Sequence, residues 1–282
     1  MVKGKRYFKT LIMGLAICCA LLISGMKVNA QTVNEVEPND TMETAQLIQA
    51  NYETAAQAVS ANRPSQYVVK GYTSTADEDW FKVYLTAGTQ YATCNDNSFN
   101  FQVYDSNNNL IISKSYTKTG FGVKAYPFQV SSAGYYYVKV QGVTSSSSSY
   151  ILLVGGPTYM VQTCYVSMKS ITMSGSNVVV PFDLSLNPNL PTGAVIYTMS
   201  MSDVKSTAVA GITVKNRTTG SIVNLAAFSW KKDGLVSLNL PLKSAWDVTF
   251  KYNKNTTITP KFSLDYVYPV TSENAQEITI SL

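Results

Sequence analysis

The chain has 282 residues, of which 45% are hydrophobic and 14% charged, and its formal net charge is +5 at pH 7. It contains no histidine. This excludes Ser-His-Asp and Cys-His catalysis, as well as hydrolysis at a histidine-ligated zinc ion, because each of these needs an imidazole.

Residues 1–30 have the three parts of a cleavable secretory signal. An apolar run over residues 11–24 is followed by Val28-Asn29-Ala30, which fits a small-residue cleavage site before Gln31. The run is preceded by four basic residues, Lys3, Lys5, Arg6 and Lys9. It is shorter than the roughly 18 residues that a membrane-spanning helix requires. We therefore expect export, removal of this segment, and a secreted protein that begins at about Gln31.

The positive net charge belongs to this signal segment. Five of the 22 basic residues lie in it and no acidic ones do, so the remaining chain has 17 basic and 17 acidic side chains. Neither nucleic acid nor, after signal cleavage, a membrane is therefore an expected partner.

Two short acidic segments carry the candidate chemistry. The first is Glu35-Val36-Glu37-Pro38-Asn39-Asp40, and the second is Asp77-Glu78-Asp79. Asp40 is suited to cap a short helix over Met42–Ile48, with Glu43 completing the capping box. Taken alone, the residues allow two interpretations. In the first, the two acidic segments form a helix cap and a solvated turn. In the second, their side chains are ligands of a calcium ion, which takes about six to eight oxygen atoms.

From Gln66 onward the pattern is that of short antiparallel strands. Apolar residues alternate with polar ones, and clusters of Gly, Asn or Ser interrupt them about every eight to twelve residues. Phe81, Val83 and Leu85 fall on one face of a strand. Asp105-Ser106-Asn107-Asn108-Asn109 predicts a hairpin turn leading into Leu110, because Asn and Asp tolerate left-handed backbone geometry.

Gly155-Gly156-Pro157 is the predicted domain boundary, since Gly frees the backbone and Pro cannot continue a ladder. The strand rhythm restarts after it. We therefore predict an all-β protein with two β-sandwich domains, residues 31–156 and 157–282. Predicted strands of the second domain include Val161–Met168, Val178–Leu186, Ala194–Met201, Leu235–Leu240, Trp246–Tyr252 and Ile258–Leu264.

Two cysteines, Cys94 and Cys164, remain after signal removal and lie on either side of this boundary. Export permits a disulfide that would clamp the two domains together. The alternative is two separate, half-buried thiols that pack as small apolar groups.

Three segments together resemble a known family. They are Asn34-Glu35-x-Glu37-Pro38-Asn39-Asp40, Asp77-x-Asp79-Trp80-Phe81-Lys82-Val83 and Gly134-Tyr135-Tyr136-Tyr137-Val138-Lys139-Val140. In this order and spacing they are similar to the bacterial pre-peptidase C-terminal domain, over about residues 33–154. The resemblance implies a jelly-roll-like β-sandwich of a kind usually appended to secreted proteases and related to the collagen-binding domains of clostridial collagenases.

The resemblance also implies that calcium is a cofactor. Carried over by position, the ligands are Glu35, Glu37, Asn39 and Asp40 from the first segment and Asp77 and Asp79 from the second.

Outward-facing tyrosines are a second candidate feature. If Tyr136 and Val138 face the core, Tyr135 and Tyr137 face outward, alongside Tyr84 from its own strand. Such side chains give rigid contact area with a polar tip, which suits an extended polymer such as collagen or glycan. The alternative is cross-strand packing that stabilises an exposed sheet face.

Three functions from different classes are consistent with these features. The first is a secreted, calcium-stabilised module, without catalysis, that recognises an extracellular protein or polysaccharide. The second is an accessory protein for a separately encoded secreted protease. The third is a hydrolase hidden in residues 157–282, where Ser202-Asp203-Val204-Lys205 has the spacing of a Ser-x-x-Lys motif but lies in strand-rich sequence. We expect the first.

Overall fold

The computed structural model describes residues 31–61, 63, 65–118, 123–271 and, by backbone only, 278–281. The predicted signal segment, residues 1–30, lies outside the described residues. As the sequence predicts, the described chain is almost entirely β-structure. Within it no helix is both long enough and apolar enough to span a membrane.

The first half of the described chain forms two five-stranded sheets. Its strands are β1 (Gln31–Asn34), β2 (Gln46–Ile48), β3 (Tyr67–Thr73), β4 (Glu78–Leu85), β5 (Gly88–Asp96), β6 (Phe99–Tyr104), β7 (Leu110–Tyr116), β8 (Lys124–Val130), β9 (Gly134–Gly142) and β10 (Ser148–Gly155). Sheet A has the order β1-β3-β10-β5-β8, and sheet B has the order β2-β4-β9-β6-β7. The set β3-β10-β5-β8 facing β4-β9-β6-β7 is the double Greek key of a jelly roll, which confirms the predicted architecture.

The second half forms further sheets. Its strands are β11 (Thr158–Ser167), β12 (Ile171–Met173), β13 (Val178–Asp183), β14 (Val195–Ser202), β15 (Val209–Asn216), β16 (Ile222–Leu225), β17 (Lys231–Lys232), β18 (Ala245–Tyr252), β19 (Thr256–Ile258), β20 (Lys261–Val270) and β21 (Ile278–Ser281). One sheet has the order β17-β14-β20-β11-β21, a second has β13-β18-β15-β16, and β12 pairs with β19.

Each half buries its own apolar cluster. In the first, inward residues of β4 and β9 such as Phe81, Val83 and Val138 are fully buried and alternate with more exposed neighbours. In the second, Trp246 packs within a separate cluster that also takes in Ala125 of β8, so the two halves are in contact. Between β10 and β11 the chain passes from sheet A into a sheet of the second half. The division of the chain into two independent domains at residue 156 stays a prediction.

Buried polar side chains fix the connection between the halves. Asn51 donates from its side-chain amide to the carbonyl oxygen of Gly156 at 3.1 Å. Glu53 forms an ion pair with Arg63 and accepts from the Tyr159 N–H at 3.3 Å. Arg63 in turn donates to the Tyr159 carbonyl oxygen at 2.9 Å. The segment between β2 and β3 therefore binds both the backbone N–H and the backbone carbonyl of Tyr159 at the start of β11.

The predicted helix over Met42–Ile48 is wrong. Residues 41–44 form a turn in which the Thr41 N–H donates to Thr44 Oγ1 at 3.1 Å, and β2 follows. The strand pairs with β4 and buries Ile48 in the first core. Tertiary packing overrides the capping signal here, because so short a helix is marginal in water.

The helix of the first half lies further along the chain. It is α1 (Ala55–Ala58), and it begins after Thr54 with a complete capping box: Gln57 N–H donates to the Thr54 hydroxyl, and the Gln57 side chain accepts from the Thr54 N–H. The spacing Thr54-x-x-Gln57 is itself a capping-box signal.

Local turn chemistry explains one prediction that is confirmed and one that is wrong. Asp105 Oδ1 accepts from the backbone N–H groups of Asn107 and Asn109, each at 2.8 Å, and closes the predicted turn between β6 and β7. By contrast, the predicted strand over Leu235–Leu240 is a 3-10 helix at Leu235–Leu238. It lies between Gly234 and Asn239, both in left-handed geometry that ends a strand.

The two cysteines are free and buried, so the proposed clamp between the halves does not form. Cys94 belongs to the first core and Cys164 to the second, and each thiol packs within its own cluster. The alternative interpretation, separate thiols acting as small apolar groups, holds, although both are fully rather than half buried. Burial raises the pKa of Cys164 to about 11 and raises that of Cys94 further.

Candidate functional site

Two chain crossings meet at one end of the jelly roll. β1 and β3 are parallel neighbours in sheet A, and β2 and β4 are parallel neighbours in sheet B. The connection from β1 to β2 carries the first acidic segment, and the connection from β3 to β4 carries Asp77. Because both connections leave sheet A and enter sheet B at the same end, acidic residues more than thirty positions apart come together.

The crossings assemble two overlapping groups of carboxylates. Single oxygen atoms of Glu35, Glu37 and Asp79 lie within 4.8 Å of one another, and the same holds for Glu37, Asp40 and Asp77. Glu37 belongs to both groups. The structure thus brings together all of the carboxylates that the sequence predicts as ligands.

The sixth predicted ligand, Asn39, lies beside these carboxylates and is 0% exposed. Its backbone N–H donates to Glu37 Oε2 at 2.9 Å, and its carbonyl oxygen accepts from the Trp80 N–H at 2.9 Å. We call the six residues the oxygen cluster: Glu35, Glu37, Asn39, Asp40, Asp77 and Asp79.

Several polar atoms of the oxygen cluster are buried without a hydrogen-bond partner in the described chain. They are both carboxylate oxygens of Asp79, Oε1 of Glu35, and the amide oxygen and nitrogen of Asn39. Leaving a buried charge without a partner costs several kcal/mol, on the order of 3–5 in proteins. The arrangement is that of a site completed by a cation or by protons.

Burial and mutual repulsion both act on the carboxylates. Burial raises the pKa of Asp79 well above its ordinary value of 3.8, and the neighbouring Glu35 and Asp77 raise it further. The pKa of Asp77 is also raised, by burial and then by Glu35 and Asp40. Asp79 is buried, Glu35 and Asp77 are half-buried, and Glu37 and Asp40 are exposed. The negative charges are therefore crowded at a partly desolvated site, where a divalent cation would relieve them.

Three residues that the sequence analysis did not select complete the site. The Tyr72 N–H donates to Glu35 Oε2 at 2.8 Å, and the buried Tyr150 hydroxyl has no hydrogen-bond partner in the described chain. Burial, followed by the charge of Asp79, raises the Tyr150 pKa far above 10. Gly71 lies between Glu35 and Tyr150, and an isolated glycine inside a strand pattern is a sequence signal for such close approach.

The donor set suits calcium. Carboxylate and amide oxygens are hard ligands, and six residues can supply the roughly six to eight oxygens that calcium takes in irregular geometry. Zinc prefers thiolate or imidazole. The chain has no imidazole at all, and both described thiols lie in the two cores.

The outward-facing tyrosines lie on sheet B. Tyr84 and Tyr135 are 50% and 44% exposed, and their rings meet edge to face with centroids 5.4 Å apart. Lys82 Nζ lies 4.7 Å from the Tyr135 ring centroid and 5.6 Å from that of Tyr137. The three tyrosines therefore share one exposed surface, and they also pack against each other and against a lysine.

No protein-family model and no curated protein matches this chain. Solved structures give distant matches at low sequence identity. A protein of Eubacterium rectale that is described as secreted is 14% identical, with a TM-score of 0.47, and the match covers 86% of this chain and 87% of that one. The pre-peptidase C-terminal domain of collagenase from Bacillus anthracis is 15% identical, with a TM-score of 0.29, and the match covers 43% of this chain and 99% of that one.

Proposed function

We propose that this chain is a secreted binding protein without catalytic activity, whose first half is a β-sandwich stabilised by calcium at the oxygen cluster. Asp79 carries the proposal. Its two carboxylate oxygens are fully buried and have no hydrogen-bond partner in the described chain. A carboxylate in that state needs a cation or a proton to offset its desolvation, and the carboxylates of Glu35 and Glu37 beside it favour a cation.

The role of the ion is structural. Calcium held by both groups of carboxylates would tie the β1–β2 connection to the β3–β4 connection at one end of the jelly roll. Because the unfolded chain does not hold the oxygens together, binding free energy becomes folding free energy. Removing calcium should therefore loosen this end of the sandwich.

The location proposed for the protein fits a site of this kind. Calcium sites of extracellular modules have dissociation constants of about 0.1–1 mM, weaker than intracellular sensors. A signal peptide at residues 1–30 would deliver the protein to that environment. The partner we propose is an extracellular protein or polysaccharide, and the exposed tyrosines on sheet B support this choice.

Thermal unfolding with and without calcium tests the proposal. With calcium at ten to a hundred times its dissociation constant, we expect a stabilisation of about 1.4–2.7 kcal/mol, seen as a rise of several °C in Tm. Asp79→Asn should abolish the rise. Glu43→Gln is the matched control, because Glu43 is an exposed carboxylate in the same connection but outside the cluster. A calcium-dependent rise that is equal in wild type and Asp79→Asn would refute the site.

A further inference from the structure

The outer face of sheet B is graded from polar to aromatic. Its side chains form cross-strand rows over β4, β9, β6 and β7. The polar rows are Glu78-Gln141-Asn100-Ser115 and Trp80-Lys139-Gln102-Ser113, followed by the aromatic rows Lys82-Tyr137-Tyr104 and Tyr84-Tyr135. Rows are about 6.8 Å apart along a strand, so the four rows extend over roughly 20 Å.

The polar rows line a groove of about 360 Å³. Amide and hydroxyl side chains provide most of its walls, from Asn100, Gln102, Ser113, Ser115 and Gln141. A volume of this size is in the usual range for ligand sites, but the groove lacks the apolar lining that is typical of sites for drug-like molecules. Its chemistry suits a ligand rich in hydroxyl and other polar groups.

Hydrogen bonds within the face leave the groove rich in donors. The Gln102 amide oxygen accepts from the Tyr104 hydroxyl at 2.9 Å, and the Asn100 amide oxygen accepts from the Ser115 hydroxyl at 2.6 Å. The Gln102 amide nitrogen donates to the Ser113 hydroxyl at 3.5 Å, and the Gln141 amide nitrogen donates to the Thr75 carbonyl oxygen at 3.1 Å. Each glutamine amide therefore keeps a second N–H, and the Asn100 amide keeps both, for a ligand. A donor-rich groove is complementary to a ligand rich in acceptors, and charged acceptors form the strongest such bonds.

The charged side chains of this face also favour an anionic ligand. The Lys139 side chain lines the groove, and Lys82 lies in the next row of the same face. The carboxylate in these rows, Glu78, pairs with Lys139 at 3.0 Å. Lys82 has no ion pair among the described residues and contacts the Tyr135 and Tyr137 rings. The face therefore carries an excess of positive charge and complements an anionic partner.

The aromatic rows add a stacking surface beside the groove. Trp80, which belongs to the second polar row and is only 9% exposed, stacks with Tyr104 of the next row at a ring-centroid distance of 5.4 Å. Lys139 Nζ lies 5.8 Å from the Trp80 ring centroid. Exposed tyrosines in the next rows continue the surface. Rigid rings of this kind provide contact area for flat, partly apolar rings at low cost in conformational entropy.

We infer that the outer face of sheet B binds an acidic polysaccharide, with uronate groups at the lysines and the donor-rich groove and sugar rings against the tyrosines. This inference rests on the proposed function and names the class of its ligand. A neutral polysaccharide would leave Lys82 without a countercharge. An acidic polypeptide would satisfy the lysines but lacks the hydroxyl groups that suit the amides.

Affinity electrophoresis of the exported chain, residues 31–282, tests the inference with hyaluronan as the probe. Neutral dextran and poly-glutamate serve as comparison polymers. We expect retardation by hyaluronan that exceeds retardation by either. Asn100→Ala combined with Gln102→Ala should weaken hyaluronan binding about tenfold, as should Lys82→Gln. Gln129→Ala should leave it unchanged, because Gln129 makes a similar exposed cross-strand hydrogen bond, to Thr89, on sheet A.

Three results would overturn the inference: no retardation by hyaluronan, equal retardation by dextran, or equal retardation by poly-glutamate. The calcium-dependent rise in Tm is measured on the same samples. If the rise persists while hyaluronan fails to bind, the polysaccharide is wrong and the calcium site stands. If hyaluronan binds to a protein whose Tm does not respond to calcium, the calcium site is wrong and the polysaccharide-binding face stands.

Discussion

Gly71 lies directly against Glu35, because a Cβ atom at position 71 would be 2.5 Å from Glu35 Oε2 and 2.5 Å from the Tyr150 hydroxyl oxygen. Gly71→Ala should therefore displace Glu35 from the oxygen cluster. We expect a loss of about 1–3 kcal/mol in the free energy of unfolding and a smaller rise in Tm with calcium.

The matched control for this variant is Gly134→Ala. A Cβ atom at Gly134, at the start of β9, would have no atom within 4 Å, so stability and the calcium response should stay close to those of wild type. If Gly71→Ala kept the full calcium-dependent rise in Tm, Glu35 would not be a ligand.

Stability in calcium-free buffer should fall as pH rises. Burial first, and then Glu35 and Asp77, raise the pKa of Asp79 above 3.8 in the folded protein, so the folded state binds this proton more tightly than the unfolded state. The stabilisation is fully present below about pH 4 and is lost as pH rises through the folded pKa. Calcium should reduce the loss, because it replaces the proton. Urea unfolding of wild type and Asp79→Asn across this range measures the effect, and identical pH profiles would contradict it.

Glu53→Gln should strongly destabilise the protein. The Glu53 side chain is 0% exposed and that of Arg63 is 12% exposed, so the variant leaves a buried guanidinium without its countercharge. We expect a loss of about 3–5 kcal/mol in the free energy of unfolding. Asp233→Asn, which removes the exposed ion pair with Lys231, should cost less than about 1 kcal/mol. Similar losses in the two variants would show that the Glu53–Arg63 pair does not hold the halves together.

Cys94 and Cys164 should react with iodoacetamide only after unfolding. Both thiols are buried, and burial raises the pKa of each, which lowers the thiolate fraction at neutral pH. Peptide mapping without reductant should find both residues unmodified in native protein and both alkylated in denaturant. A cysteine pair that stays unmodified in denaturant but reacts after reduction would indicate a disulfide.

The sequence predicts the fold well where side-chain pattern and burial coincide. In β4 the alternation of Phe81, Val83 and Leu85 with outward residues is the pattern found, and the turn at Asp105 is specified by its own side chain. Local signals fail where long-range contacts decide. Residues 46–48 form a strand because β4 is beside them, and no feature within the predicted helix indicates that neighbour.

The candidate site shows the same division. The two acidic segments are visible in the sequence, but their meeting depends on two parallel strand pairs that place both crossings at one end of the sandwich. The contributions of Gly71 and Tyr150 also depend on packing across sheet A, where the two residues are directly opposite each other. Spacing along the chain does not reveal such a pair.

Titration calorimetry with calcium tests the central claim most directly. Titration of calcium into calcium-free wild type should give a saturable binding heat, with a dissociation constant of about 0.1–1 mM. Asp79→Asn should show none of this binding heat. Glu43→Gln should give the same isotherm as wild type. Absence of saturable heat in folded wild-type protein across several temperatures, or an unchanged binding isotherm in Asp79→Asn, would contradict a calcium site at the oxygen cluster.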